Sequence, residues 1–250
     1  MKLYTALFCG IFAASSALAG GDAKHPIQQT WSFDGMLGVV DKPSAQRGFQ
    51  VYKEVCASCH SLSRISFRNL HDLGFSEAEV KALASSYEVQ DGPNDDGEMF
   101  MRPGRPSDKL PSPYANEKQG RSLNNGAYPP DLSLMVKARP DGANYLYSLL
   151  TGYEDAPADV ALLEGQHYNP YFAGQKIAMP KPLSDGQVQY MDNTEASVDQ
   201  MSKDVVYFLQ WAAEPEMEAR KRLGLKMLSF VGIMTIIFYL TKRKIWSDLH

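Results

Sequence analysis

Residues 56–60 read Cys-Ala-Ser-Cys-His, and this short stretch restricts the fold more than any other. Two thiols one helical turn apart, with an imidazole directly behind them, point to a shared role in a disulfide, a metal site, or the holding of a larger group that takes both sulfurs and the nitrogen. A structural zinc site needs about four protein ligands. Beyond the motif the chain offers only Cys9 and the scattered His25, His71, His167 and His250, none at ligand spacing. A thioredoxin-like redox pair would follow a strand–helix–strand pattern, which is missing here. A c-type haem gives every part a use. Two vinyl groups take the thiols, and the histidine reaches iron under the same ring. The motif therefore predicts one haem c, covalently bound through Cys56 and Cys59, with His60 as an iron ligand.

The N-terminus, "MKLYTALFCGIFAASSALAGG", has an early lysine, an apolar run and then Ala17-Leu18-Ala19 before Gly20. That is the pattern of a secretory signal with an A-x-A cleavage site, so residues 1–19 are predicted to be a cleaved signal peptide. The competing reading, a retained first membrane helix, sits poorly with the small residues at its end. Cleavage would remove Cys9 and leave the haem cysteines alone in an oxidising compartment. A second apolar run covers 223–241. Its core from Met227 to Thr241 is short for a bilayer, and Leu223–Leu225 supply the length if Lys226 snorkels to the interface. Basic clusters at both ends, Arg220-Lys221-Arg222 and Lys242-Arg243-Lys244, argue against a buried core helix and leave the positive-inside rule undecided. With orientation taken from the signal, 20–215 is expected to be a periplasmic haem domain and 223–241 a transmembrane anchor. Residues 242–250 would then form a short tail in the cytoplasm of a bacterium, the anchor lying in its cytoplasmic membrane.

Charge divides along the same boundary. Residues 20–214 carry 17 Lys+Arg against 26 Asp+Glu, and residues 215–250 carry 7 against 3. An acidic body suits a cationic partner, a basic tail suits an anionic lipid surface, and nucleic acid is disfavoured.

Residues 44–60 are expected to form a helix running into the motif, with Gly48, Tyr52 and Cys56 on one face. A glycine on that face suggests close approach by another helix. The candidate partner is 197–214, opened by a Ser197-x-x-Gln200 capping box and stopped by Pro215. Its apolar stripe is Val198, Met201, Val205, Phe208, Leu209 and Ala212. Between these lies sequence rich in Gly, Pro, Asn and Tyr, in which only 76–87 and about 141–151 look helical, and no strand series stands out. The expected class is mainly α, with long loop insertions.

A methionine on the far side of the iron would favour electron transfer, whereas an open position would allow ligand binding or peroxidase chemistry. Most methionines fall in apolar helical stretches or in the membrane run. Met99 and Met101 of "GEMFMRPGR" and Met179 of "GQKIAMPKPL" are the rivals. Met179 lies in an aperiodic Gly/Pro loop placed to fold over an open haem face.

Seven stretches together carry a resemblance: "RGFQVYKEVCASCHSL", "VQDGPNDDGEMFMRPGRPSD", "NNGAYPPDLS", "SLLTGYEDAP", "NPYFAGQKIAMP", "WAAEPEMEARKRLGLKML" and "KRKIWSDL". In unbroken order over roughly 31–250, they resemble the cytochrome c1 family, the haem c subunits of ubiquinol–cytochrome c reductase (bc1) complexes. The resemblance implies a class I cytochrome c-like core with insertions and a C-terminal membrane helix. It implies His60 and Met179 as axial ligands, Arg139 and Tyr145 at the haem propionates, and the Pro129-Pro130 backbone beside the histidine. There a carbonyl, assigned to Pro130, would accept the imidazole N–H. Read alone, Arg139 is an ordinary surface arginine and Tyr145 a core tyrosine. Some bacterial members carry a disulfide near the ligand loop; this chain has no cysteines for one, so packing must hold that loop. The implied role is a relay, not an enzyme on its own, working beside cytochrome b. Electrons would come from a Rieske iron–sulfur protein and leave on a mobile cytochrome c. The acidic stretch with Glu88, Asp91, Asp95, Asp96 and Glu98 would be the docking patch, although such a run is by default a solvated loop. A stand-alone tethered cytochrome and a haem peroxidase are the alternatives.

Overall fold

The computed structural model describes residues 23–247. The predicted signal, with Cys9, and the last three residues of the predicted tail lie outside the described residues. In chain order the elements are helix α1 (Lys42–Glu54), α2 (Glu77–Ser85), strands β1 (Glu88–Asp91) and β2 (Phe100–Pro103), α3 (Glu117–Leu123), α4 (Gly142–Thr151), β3 (His167–Tyr168), β4 (Lys176–Ile177), α5 (Val198–Ala213) and α6 (Met217–Trp246). The class is mainly α, as the sequence predicts. Each pair of strands forms its own antiparallel hairpin.

Asp41 caps α1 by accepting the Ser44 amide at 3.0 Å, and Pro43 in the first turn displaces no helical hydrogen bond. The predicted helix over 44–60 stops at Glu54. Beyond it the chain tightens into a 3-10 turn over Cys56–Ser58, a common way to end a helix. Ser76 and Glu79 form a full capping box on α2. The box expected on α5 is half made. Ser197 accepts the Gln200 amide, but the Gln200 side chain turns instead to Asp204. Its Nε2 donates to that wholly buried carboxylate at 3.0 Å, which turns the side chain away from the Ser197 N–H that its oxygen would have accepted.

The core is built where α5 crosses α1. Gly48 is the contact point: a Cβ added there would lie 1.9 Å from the Asp204 carbonyl oxygen and 2.9 Å from Phe208 Cβ. Phe208 packs edge-on against Phe49, with ring centroids 5.4 Å apart, and also against Tyr52. Arg47 grips the buried Asp204 carboxylate with two bonds of 3.0 Å, and it also holds Asp192 and the Ser44 hydroxyl. The bond to Asp204 raises the Arg47 pKa above its ordinary value. A buried pair of this kind adds little net stability against an apolar substitute, but losing one partner costs about 3–5 kcal/mol. Its value is in fixing how the two helices register.

The segment before α1 lies along α4. Ile27 N donates to Ser148 Oγ, Gln29 N to Asn144 Oδ1, and the Trp31 indole to the same Asn144 oxygen. Trp31 stacks on Phe33, and both meet the edge of Tyr207 on α5.

Helix α6 is longer than the apolar run at both ends. It covers 223–241 and extends to Met217 and Trp246. It is also the one described helix long and apolar enough to cross a membrane, with a mean hydropathy of 1.9 over its best window. Its first turns belong to the packed body. Met217 is buried against Gln210, Glu218 accepts the Val40 amide, and Lys221 donates to two backbone carbonyls. The packed body therefore continues past residue 215 into the first turns of α6.

The close approach at Gly48 has a direct test. Gly48→Ala should destabilise the haem-loaded chain by about 3 kcal/mol or more, because backbone lies where the methyl must go. Gly224→Ala, with nothing within 4 Å of the new Cβ, should change stability by less than about 1 kcal/mol. Guanidinium unfolding in mild detergent measures both, and equal effects would show that the helices do not meet at Gly48.

Candidate haem site

Helix α1 delivers the motif. Just past its end, Val55, Cys56 and Ala57 pack against the core, and the Cys56 carbonyl then accepts both the Cys59 amide (3.1 Å) and the His60 amide (2.8 Å). The two cysteines thus sit at either end of one tight turn, each a free, partly exposed thiol. Burial pushes the Cys56 thiol up to about 12, so it stays un-ionised at neutral pH. Tyr52, buried on α1, donates to the His60 carbonyl at 3.2 Å.

His60 has a defined tautomer. Its Nδ1 lies 2.8 Å from the Pro130 carbonyl oxygen. A carbonyl can only accept, so the proton is on Nδ1 and the lone pair of Nε2 is left for a metal. Burial lowers the His60 pKa, although the Pro130 bond and nearby Asp131 oppose it, and the net shift favours the neutral imidazole that a ligand must be.

The Pro130 carbonyl is held in turn by Asp131. One carboxylate oxygen accepts Ser61 Oγ and Ser63 N, both at 2.8 Å, and the other accepts Ser133 N at 2.9 Å. Leu132 N bonds the Ser61 carbonyl and Arg64 N bonds Ser133 Oγ. Two segments far apart in sequence are thereby laced together directly behind the motif. Partial burial alone would raise the Asp131 pKa, but the bonds from Ser133, Ser63 and Ser61 outweigh it and bring it down to about 2.

Met179 lies just past β4, partly buried, and its carbonyl accepts the Tyr153 hydroxyl at 3.0 Å. Tyr153 follows the C-terminus of α4, and burial raises its pKa. The β3–β4 hairpin that leads to Met179 is tied to α4 by Asn169, fully buried, whose Nδ2 donates to the Leu149 carbonyl at 2.8 Å. The loop is therefore held by buried hydrogen bonds as well as by packing. Tyr145 on α4 is half-buried against the core and close enough to Tyr153 for their charges to interact. Arg139 is exposed, and its one bond is to the carbonyl of its neighbour Ala138. Met99 and Met101 lie on an exposed hairpin, with Met101 paired to Gln90 in the strand register.

That hairpin also changes the reading of the acidic stretch. Arg102 on β2 pairs with Asp91 and, by two bonds, with Asp108. Asp91 therefore has its charge compensated, while Glu88, Asp95, Asp96 and Glu98 have no ionic partner among the described residues.

The residues present fit a haem c: two free thiols on one turn, followed by an imidazole whose Nδ1 is committed and whose Nε2 is free. Comparison with known proteins gives the family. The Cytochrome C1 family matches residues 31–249. The chain belongs to the cytochrome c1 family. It is 51% identical over 243 residues to an Arabidopsis thaliana protein named cytochrome c1 2, heme protein, mitochondrial, covering 96% of this chain and 79% of that one. It is 48% identical over 255 residues to cytochrome c1 of Rhodospirillum rubrum, covering 96% and 93%. A Candida albicans protein named cytochrome b-c1 complex catalytic subunit, mitochondrial, is 47% identical over 244 residues, covering 97% and 85%.

Reading the sequence did not single out Asp131 or Tyr153. The signal for the first was present in Asp131-Leu132-Ser133, where an aspartate two residues before a serine reads as an Asx turn. Nothing local marks Tyr153.

Asp131→Ala strands three hydrogen-bond donors and should cost about 2 kcal/mol or more, measured by unfolding of the haem-loaded chain. The folded pKa lies below the ordinary 3.8, so this stabilisation is present above about pH 4 and disappears as pH falls toward 2. A loss under about 0.5 kcal/mol at pH 7 would mean that Asp131 does not hold the turn.

Proposed function

We propose that this chain is the haem c subunit of a quinol–cytochrome c reductase, relaying electrons from a Rieske iron–sulfur protein to a mobile cytochrome c alongside cytochrome b. The observation that carries the reading is the His60 tautomer, locked by Pro130 beside the two thiols of one turn. When bound, a haem supplies a one-electron couple near the protein surface. The chain's own residues set its terms. Cys56 and Cys59, the two free thiols of one turn, would hold a haem c through thioether bonds. His60 would offer Nε2 to the iron, and Met179 would offer a thioether, a weak neutral donor that would favour the ferrous state and a high potential. Arg139, with N–H groups uncommitted among the described residues, and Tyr145 are assigned to the propionates. The names of relatives support the complex: the Candida protein is called a subunit of a cytochrome b-c1 complex. The signal 1–19, the haem domain 20–215 on the periplasmic side of a bacterial cytoplasmic membrane, the anchor 223–241 and the tail 242–250 complete the proposal. The chain is no enzyme on its own, since no substrate bond is made or broken on it.

Met179→Leu tests the ligand set. The volume is nearly unchanged, a swap costing under about 1.5 kcal/mol, so the fold and both thioether bonds should survive. The potential should drop, the ferrous form should bind CO, and quinol oxidation by the whole complex should fall steeply. Met101→Leu should change none of these. If the two variants exchange phenotypes, the ligand is Met101.

The docking patch is assigned to the β1–β2 hairpin, near Glu88, Asp91, Asp95, Asp96 and Glu98. Because Arg102 already compensates Asp91, most of the steering charge falls to the others. Neutralising Asp95, Asp96 and Glu98 together should slow association with a basic cytochrome c by roughly 3–10-fold at low salt and flatten its ionic-strength dependence. Asp91→Asn should do less. Stopped-flow reduction across a salt series reads both, and wild-type rates for the triple variant would put the patch elsewhere.

A further inference from the structure

The loop between Trp31 and Val40 is clasped by the first turns of α6. Lys221 Nζ donates to the carbonyls of Phe33 at 2.6 Å and Gly38 at 3.1 Å, and Glu218 accepts the Val40 amide at 3.2 Å. The other two cations of this cluster are occupied within the protein, Arg220 by Glu214 and Arg222 by Glu218. The loop closes on itself as well. Asp34 N donates to the Trp31 carbonyl, Val39 N to the Ser32 carbonyl, and Ser32 Oγ to the Val39 carbonyl. Gly35 supplies a positive φ of 71°, and Gly38 approaches the Asp34 carbonyl so closely that no side chain fits there. The one acidic side chain of the tip, Asp34, turns back to the Trp31 amide.

The result is a small turn with many of its polar groups spent inward and its apolar groups turned outward. Met36, Leu37 and Val39 are 61%, 77% and 51% exposed. They have no place in the core cluster. Their height along α6 says what covers them. Lys221 lies two residues before Leu223, where the apolar surface of α6 begins, and at 1.5 Å per residue that is less than one turn from the hydrocarbon edge. A side chain reaching from Lys221 to Gly38 therefore keeps the loop level with the headgroup layer. That layer accepts apolar side chains from a turn whose own backbone is satisfied.

We propose that residues 34–39 form a second membrane contact, with Met36, Leu37 and Val39 seated at the headgroup–acyl boundary of the leaflet that α6 enters. The proposal rests on α6 spanning the bilayer. Two contacts fix an orientation that one helix leaves free to rotate, so the loop sets which way the haem-bearing face points.

The test uses the full haem-loaded chain in nanodiscs of mixed zwitterionic and anionic phospholipid, with both native thiols of the described region consumed by haem. Nitroxide labels are placed at Leu37→Cys, at Ile233→Cys within α6, and at Met191→Cys, whose side chain is 96% exposed. Spin-relaxation accessibility to oxygen and to a water-soluble nickel chelate reports depth. The expected result is an intermediate depth at position 37, more oxygen-accessible than 191 and shallower than 233. A profile at 37 equal to that at 191 overturns the loop contact and leaves the anchor standing. A watery profile at 233 instead overturns the anchor reading, and the proposal goes with it. Low accessibility to both reagents at 37 means that protein covers the loop, which also overturns the proposal. Spectra of the bound haem identical to wild type show that each labelled chain is folded.

Discussion

The 2.8 Å bond from His60 Nδ1 to the Pro130 carbonyl joins residues seventy positions apart, and the chemistry of the site depends on it. Without it the imidazole can carry its proton on either nitrogen, and half of the motif's purpose is lost. With it, the ring has one tautomer and one face, and the free nitrogen points away from the segment that holds it. The bond is only as good as the position of Pro130, which is why Asp131 matters. Its carboxylate ties residues 61–63 to residue 133 through three bonds, so both partners of the histidine bond move as one unit. The stretch between them is not idle: Phe67, Leu70, Leu73 and Val80 are buried in the core.

The other side of the site is organised from the helix crossing. Gly48 lets α5 come close enough to touch α1 backbone, and Tyr52, one turn on, reaches the His60 carbonyl. One face of α1 thus makes the close contact with α5 and bonds the histidine's backbone, and the helix hands on to the turn that carries Cys56. Arg47 and Asp204 keep that face from rotating. A shift of α1 about its axis would move the cysteine and the glycine together, and the buried ion pair resists it on grounds of geometry.

What could be read from residues was governed by how local the physics is. The Cys56–His60 motif was legible because a group taken by two thiols and an imidazole would demand fixed spacing in sequence. The face shared by Gly48, Tyr52 and Cys56 followed from helical periodicity. The stop of α1 at Glu54 did not, since a helix and a 3-10 turn share nearly the same pattern over a few residues. The β1–β2 hairpin was missed because its strands are four residues long and largely exposed, leaving no alternation to detect. The role of Tyr153, a hydroxyl reaching a carbonyl 26 residues away, is written nowhere near either residue. The Gln200 side chain goes to Asp204, one turn on along the same helix, so one local pairing displaced another.

The join between α5 and α6 has a mechanical consequence. Only Glu214, Pro215 and Glu216 separate the two helices, and Met217, Glu218 and Lys221 are packed into the body. No slack linker lies between the part in water and the part in lipid. The apolar run 223–241 within that helix is about 28 Å long at 1.5 Å per residue, close to a hydrocarbon layer, and it meets a thinner bilayer by leaning. Here that lean cannot be absorbed in a flexible stalk. It passes into the domain above as rotation of a rigid lever, so the thickness of the surrounding bilayer helps set the angle at which the haem edge faces its partners.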